Sequence, residues 1–124
     1  MSKYGNRVDY VGDKKFDSIK EARYFLFLRE QEKNGQISNL RRQVPFTLLP
    51  PIKGKKVIQL KTKTKEVEYT IQDSVRYIAD FVYTDKQGKE IIVDVKSEAT
   101  RKDKVYVIKK KMMRALLKLI ITEV

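Results

Sequence analysis

The stretch RYIADFVYTDKQGKEIIVDVKSE, Arg76 to Glu98, sets two apolar runs on either side of a turn-like segment, Thr84-Asp85-Lys86-Gln87-Gly88. Successive side chains of a strand point to opposite faces. Ile78, Asp80 and Val82 are therefore expected on one face, and Ile92, Asp94 and Lys96 on one face of the partner strand. A turn centred near Gln87 brings Asp80 opposite Asp94, with Lys96 one step further along. Two carboxylates and an ammonium then meet on an otherwise apolar patch. A solvated hairpin face also carries charge, and that is the commoner origin of such residues. Here, though, Ile78, Val82 and Ile92 leave the carboxylates in need of a charge partner, hydrogen bonds or a metal. Two neighbouring carboxylates repel, and a divalent cation removes that repulsion.

Composition narrows the chemistry. A chain of 124 residues is long enough for one domain with its own core. It has no cysteine and no histidine. That excludes disulfides, thiolate nucleophiles, His- or Cys-ligated zinc, Ser-His triads and imidazole acid–base chemistry within the chain. Any metal would be held by oxygen, which favours Mg2+ or Mn2+. The formal net charge of +12 points to a polyanionic partner, nucleic acid ahead of a membrane surface. Lys53 to Lys65 holds six lysines and no acid, and Arg101 to Lys118 holds eight basic residues against Asp103 alone. No secretory signal, lipidation motif or transmembrane run is present, so a soluble, intracellular protein is expected.

Upstream, Val8-Asp9-Tyr10-Val11 is a short strand candidate in a polar segment that also carries Tyr4, Gly5 and Arg7. Ser18-Ile19-Lys20-Glu21 has the Ser-x-x-Glu form of a capping box and predicts a helix over about 18–33, closed by Asn34-Gly35. Ile19, Ala22, Phe25 and Leu26 form its expected apolar face, extended by Leu28. Glu21 then has a sufficient structural task in reaching back to the Ser18 amide. A carboxylate in a first helical turn is also well placed to enter a site at a sheet's edge. Gln36 to Leu49 reads as a strand, and Pro45 places it at an edge or breaks it. Gln43 faces away from Val44, Phe46 and Leu48, towards solvent or an active surface.

Pro50-Pro51 ends that strand and opens a lysine-rich insertion at about 51–73. Its two strand candidates, Lys56–Lys61 and Glu66–Ile71, suggest a protruding hairpin that serves either as a nucleic-acid-binding arm or as a solvated excursion. After the central hairpin, Thr100 is the expected N-cap of a helix through about Leu116, with Val105, Ile108, Met112 and Leu116 as its apolar face. Leu119 to Val124 reads as a closing strand. The order predicts a single-domain α/β or α+β layer fold, residues 1–124, with a mixed sheet flanked by helices.

Asp80, thirteen residues, then Asp94-Val95-Lys96 resembles the motif of the PD-(D/E)XK nuclease superfamily, whose core is the restriction-endonuclease-like fold. An upstream helical glutamate commonly joins that motif, and Glu21 matches the position. Ala79 stands where the superfamily name has proline. FDSIKEARYF, YIADFVY, VDVKSE and the lysine-rich final helix look like a group of small phage-encoded proteins of this superfamily, nearer its Holliday junction resolvases than its restriction enzymes.

The resemblance implies an Mg2+- or Mn2+-dependent endonuclease acting on DNA, with branched or four-way junctions as substrate. Asp80, Asp94, the Val95 carbonyl and Glu21 would then bind metal. Lys96 would orient the attacking water, stabilise developing charge or act as base. It further implies a homodimer and a cytoplasmic location in a bacterial host, as a phage or prophage protein, without membrane association. Arg41, Arg42, Gln43, Lys53, Lys55, Lys56, Lys104, Lys109, Lys110 and Lys111 are the candidate nucleic-acid contacts. The rival expectation is a non-catalytic nucleic-acid-binding or phage assembly protein that retains the fold.

Overall fold

Asp85 closes the central hairpin: its Oδ1 accepts the amides of Gln87 and Lys89, each at 2.9 Å, while Gly88 takes φ 83° to complete the turn. The computed structural model describes residues 9–124, so the expectations for Tyr4, Gly5, Arg7 and Val8 lie outside the described residues. The elements run β1 (Asp9–Val11), β2 (Lys14–Phe16), α1 (Ile19–Lys33), β3 (Ser38–Leu49), β4 (Ile52–Gln59), β5 (Thr64–Gln72), β6 (Val75–Thr84), β7 (Glu90–Asp94), α2 (Glu98–Arg101), α3 (Lys104–Leu117) and β8 (Ile121–Glu123).

A four-stranded sheet in the order β3-β6-β7-β8 forms the centre. Its β3–β6 and β6–β7 pairs are antiparallel and β7–β8 is parallel, so the sheet is mixed. One core packs on its α1 side, around Phe16, Ala22, Phe25, Leu28, Phe81 and Val93. The other packs on its α3 side, around Leu48, Tyr77, Ala79, Val82, Ile92, Tyr106, Met113 and Ile121. The result is an α+β fold with helices flanking a mixed central sheet. Pro45 is tolerated because β3 is an edge strand. The hairpin register pairs Phe81 with Val93 and Val82 with Ile92, and one further step sets Asp80 opposite Asp94, as a turn centred on Gln87 requires. The insertion forms a separate antiparallel ribbon, β4–β5, somewhat longer on both strands than the sequence suggests.

The two long helices, α1 and α3, correct the expected faces. In α1 the Ser18 side chain caps the Glu21 amide, but the buried residues are Glu21, Ala22, Phe25 and Leu28, and Leu26 is exposed. At the other end of the chain, Thr100 does not cap the long helix. Ser97 and Thr100 close a capping box around the single turn α2, and Asp103 caps α3 by accepting the Tyr106 amide. The face of α3 that meets the sheet holds Tyr106 and Met113, with Met112 and Leu117 packed beside them. Val105, Ile108 and Leu116, expected inside, are exposed. Two apolar stripes share this helix, and the one with the larger side chains is buried. The closing strand is shorter than expected, only Ile121–Glu123.

Candidate active site

The expected common face of Ile78, Asp80 and Val82 does not exist. Tyr77 and Ala79 enter the α3-side core, whereas Phe81 and Tyr83 enter the α1-side core, so β6 changes face at Asp80. The partner strand changes face at the same level. Leu40 lies on the α1 side, and Val44 and Phe46 pack on the α3 side. Between them Gln43 adopts φ 50°, a left-handed conformation that interrupts the pleat. Ile78 is consequently exposed and Val82 fully buried. Asp80 sits at the crossover, between a glutamate from the α1 side and an aspartate from the α3 side.

Glu21 reaches this point because its helix turns it inward. Its carboxylate is buried and accepts from Gln43 Nε2 at 3.2 Å, so the second half of the expected capping box is spent on the site. The same amide nitrogen lies 3.4 Å from Asp80 Oδ1, and Asp80 Oδ2 accepts from the Val95 amide at 2.8 Å. Asp94 is fully buried, and its Oδ2 accepts from the Tyr77 hydroxyl at 2.5 Å. Lys96 Nζ stands 3.2 Å from Asp94 Oδ1 and 4.6 Å from the centroid of the Tyr106 ring. Ile92, Asp94 and Lys96 thus keep their expected common face on the α3 side.

An open cleft of about 410 Å³ adjoins this group, lined by Asp17, Ser18, Ile19, Lys20, Glu21, Asp80, Val95, Lys96, Ser97 and Thr100. Its walls come from the start of α1 and the exit of β7. Lys20 Nζ ties them together by donating to the carbonyls of Lys96 and Val124, each at 3.0 Å. Glu98 stays exposed in α2.

All three carboxyl groups are held above the usual carboxylate range. Burial is the leading cause for each. The contact between the two aspartates raises Asp94 and lowers Asp80, as in a dyad that shares a proton, and Asp94 is pushed up to about 7. Burial, followed by the charge of Asp94, also raises Tyr77, which keeps its hydroxyl a donor.

The donor set suits a hard divalent cation. Asp94 Oδ1 is a buried oxygen without a hydrogen bond, since the nearby ammonium lacks the geometry to donate one. A cation beside it would satisfy that oxygen and offset the charge of Asp80, the residue that after burial raises Asp94. Among the described residues, no three His, Cys, Asp or Glu side chains are grouped to hold a metal as they stand. Magnesium does not need such a cage: it keeps several waters and takes one or two carboxylates with substrate phosphate. Asp80 and Asp94 fit that description.

Two residues that matter here, Tyr77 and Tyr106, escape sequence reasoning. Their signal is available in principle, because a tyrosine on an apolar face needs a partner for its hydroxyl. Tyr106 donates to Glu123 Oε2 at 2.6 Å, and Lys110 meets the other oxygen of that carboxylate at 2.9 Å.

The basic candidates are dispersed. Arg41 pairs with Glu90 at 3.3 Å. Arg42 lies 3.9 Å from the Phe16 ring centroid and donates to the Lys15 carbonyl at 2.8 Å, so it braces β2. Lys53, Lys55 and Lys56 lie on β4, and Lys104, Lys109, Lys110 and Lys111 on α3. Among the described residues, no helix is long and apolar enough to cross a membrane. No curated protein and no solved structure matches the chain. Residues 1–121 match a family described as "Protein of unknown function (DUF1064)", and the chain belongs to that family.

Proposed function

We propose that this protein is a metal-dependent endodeoxyribonuclease with a restriction-endonuclease-like core. The observation that carries the reading is the meeting of Glu21, Asp80, Asp94 and Lys96 at the point where β3 and β6 both change face. Asp80 and Asp94, with the Val95 carbonyl, would hold Mg2+ or Mn2+, and Glu21 would reach it directly or through water. When bound, the ion supplies Lewis-acid activation of the phosphate and of the attacking water. Lys96, held between Asp94 and Tyr106, faces the cleft and is placed to orient that water or neutralise charge developing on the phosphate. Gln43 steadies two of the three carboxylates through one amide.

DNA is the proposed substrate, in keeping with the net charge of +12. A four-way junction as the preferred structure, a homodimer to cut it twice, and a phage protein acting in a bacterial cytoplasm follow from the resemblance. Exposed Val105, Ile108 and Leu116 give α3 an apolar stripe for a second copy. The test compares cleavage of labelled four-way, duplex and single-stranded DNA in Mg2+ by the wild type, Asp80→Asn and Lys96→Ala. Both variants should lose at least a hundredfold in rate. Variants as fast as the wild type would sink the active-site assignment. Equal cleavage of all three DNAs would reject the junction preference alone. Binding without cleavage by the wild type in either metal would favour a non-catalytic nucleic-acid-binding protein.

A further inference from the structure

The two faces of the β4–β5 arm differ in charge. Its register pairs Lys53 with Thr70, Lys55 with Glu68 and Val57 with Glu66 on one face. Gly54 pairs with Tyr69, Lys56 with Val67 and Ile58 with Lys65 on the other. On the first face Lys53 donates to Thr70 Oγ1 at 2.7 Å and Lys55 stands 3.5 Å from Glu66, so two lysines are matched by two glutamates. The second face carries Lys56 and Lys65 and no acid. Its centre is aromatic. Tyr69 lies against Gly54, where an added Cβ would stand 2.8 Å from Tyr69 Cζ, yet the residue remains 41% exposed. Lys56 Nζ is 5.3 Å from the ring centroid.

A tyrosine packed over a cross-strand glycine stabilises a two-stranded ribbon by itself. That explains the contact with Gly54, and cross-strand pairing with lysines explains the acids of the first face, but neither accounts for an exposed ring on a face whose lysines have no acid to match them. An exposed ring with one cation beside it, on a face that carries a second cation and no acid, matches an unpaired nucleotide, whose base stacks on the ring while its phosphate meets an ammonium. Following a duplex would take a longer row of cations than the two present here.

We propose that the Gly54–Tyr69 face of the arm binds unpaired nucleotides of a nucleic-acid strand, with Tyr69 as stacking platform and Lys56 and Lys65 as phosphate contacts. The inference rests on nucleic acid being the partner, and it assigns the contact to one face of one element. That face is separate from the carboxylates. Leu49, the last residue of β3, is six residues beyond Gln43, roughly 20 Å of extended chain.

The test is fluorescence anisotropy in chelator, so that no cleavage intervenes, with a labelled oligothymidylate and a labelled duplex. Tyr69→Ala and Tyr69→Leu should weaken single-strand binding roughly tenfold and Tyr69→Phe should retain it. Lys55→Ala with Glu66→Ala, which leaves net charge unchanged, should bind as the wild type does. Circular dichroism of each variant confirms the fold, and Tyr69→Leu keeps an apolar side chain over Gly54 if the alanine variant does not fold. Unchanged single-strand affinity in Tyr69→Ala or Tyr69→Leu overturns the proposal, as does an equal loss in the Lys55–Glu66 variant or an effect confined to the duplex. A wild type that binds neither DNA removes the nucleic-acid reading itself, a result distinct from binding that ignores Tyr69.

Discussion

Gln43 and Asp80 face one another between the register pairs Arg42–Phe81 and Val44–Ala79, and both strands change face at that level. The crossover lets one aspartate address both layers of the molecule. A regular pleat would commit Asp80 to a single side, leaving either Glu21 or Asp94 behind the sheet.

Gln43 holds its left-handed backbone against the preference of any residue with a Cβ. Replacing it with alanine or with glycine deletes the same amide, but only glycine takes φ 50° without strain. Gln43→Gly should therefore be more stable than Gln43→Ala by about 1 kcal/mol in chemical denaturation. Equal stabilities would mean that the turn-over does not depend on residue 43.

Tyr77→Phe removes the only hydroxyl that donates to Asp94 Oδ2 among the described residues. It should cost about 1–3 kcal/mol, because a buried carboxyl oxygen loses its donor. That hydrogen bond also opposes the upward pull of burial on Asp94. Losing it raises Asp94 further, so the acid limb of the pH–rate profile for the proposed DNA cleavage should move to higher pH.

The metal-free protein should lose stability as pH rises from about 4 to about 7. The sign follows from Asp94, raised from 3.8 to about 7 by burial and by Asp80. The folded state binds the proton more tightly than the unfolded chain. Its contribution is complete below the unfolded value and disappears as pH passes the folded one. Thermal melts of wild type and Asp94→Asn across this window should diverge, with the variant flatter. Added Mg2+ should restore the wild type near pH 7 and leave the variant unmoved.

Met113→Ala should destabilise the fold by about 2–5 kcal/mol, whereas Leu116→Ala should cost less than about 1 kcal/mol. Met113 is fully buried and Leu116 is half exposed. The opposite ranking in urea unfolding would return α3 to the orientation its other stripe suggests.

Local signals carried much of the fold. Ser18 and Asn34-Gly35 bound α1 correctly, Pro50-Pro51 opens the arm, and the turn chemistry of Asp85 and Gly88 fixes the register that sets Asp80 opposite Asp94. What stayed hidden depends on pieces distant in sequence. Glutamine has no special affinity for a left-handed backbone, so nothing at Gln43 announces that the alternation fails there. Helix α3 offers Val105, Ile108, Met112 and Leu116 at the same spacing that relates Tyr106, Met113 and Leu117, and only the shape of the sheet beneath selects between them. Glu21 was legible as a helix-start residue. Its entry into a site at the sheet's edge was expected as well, but the role of Gln43, twenty-two positions away, in holding it there was not.

The Lys20 ammonium, bridging the carbonyls of Lys96 and Val124, also has a bearing on biosynthesis. The cleft wall joins residues 104 positions apart, which makes it one of the most non-local contacts of the fold. A chain emerging from the ribosome can finish α1, the arm and the central hairpin while Lys20 still lacks one of its two acceptors. The wall of the cleft is thus completed only when β8 pairs with β7 and brings the Val124 carbonyl to Lys20.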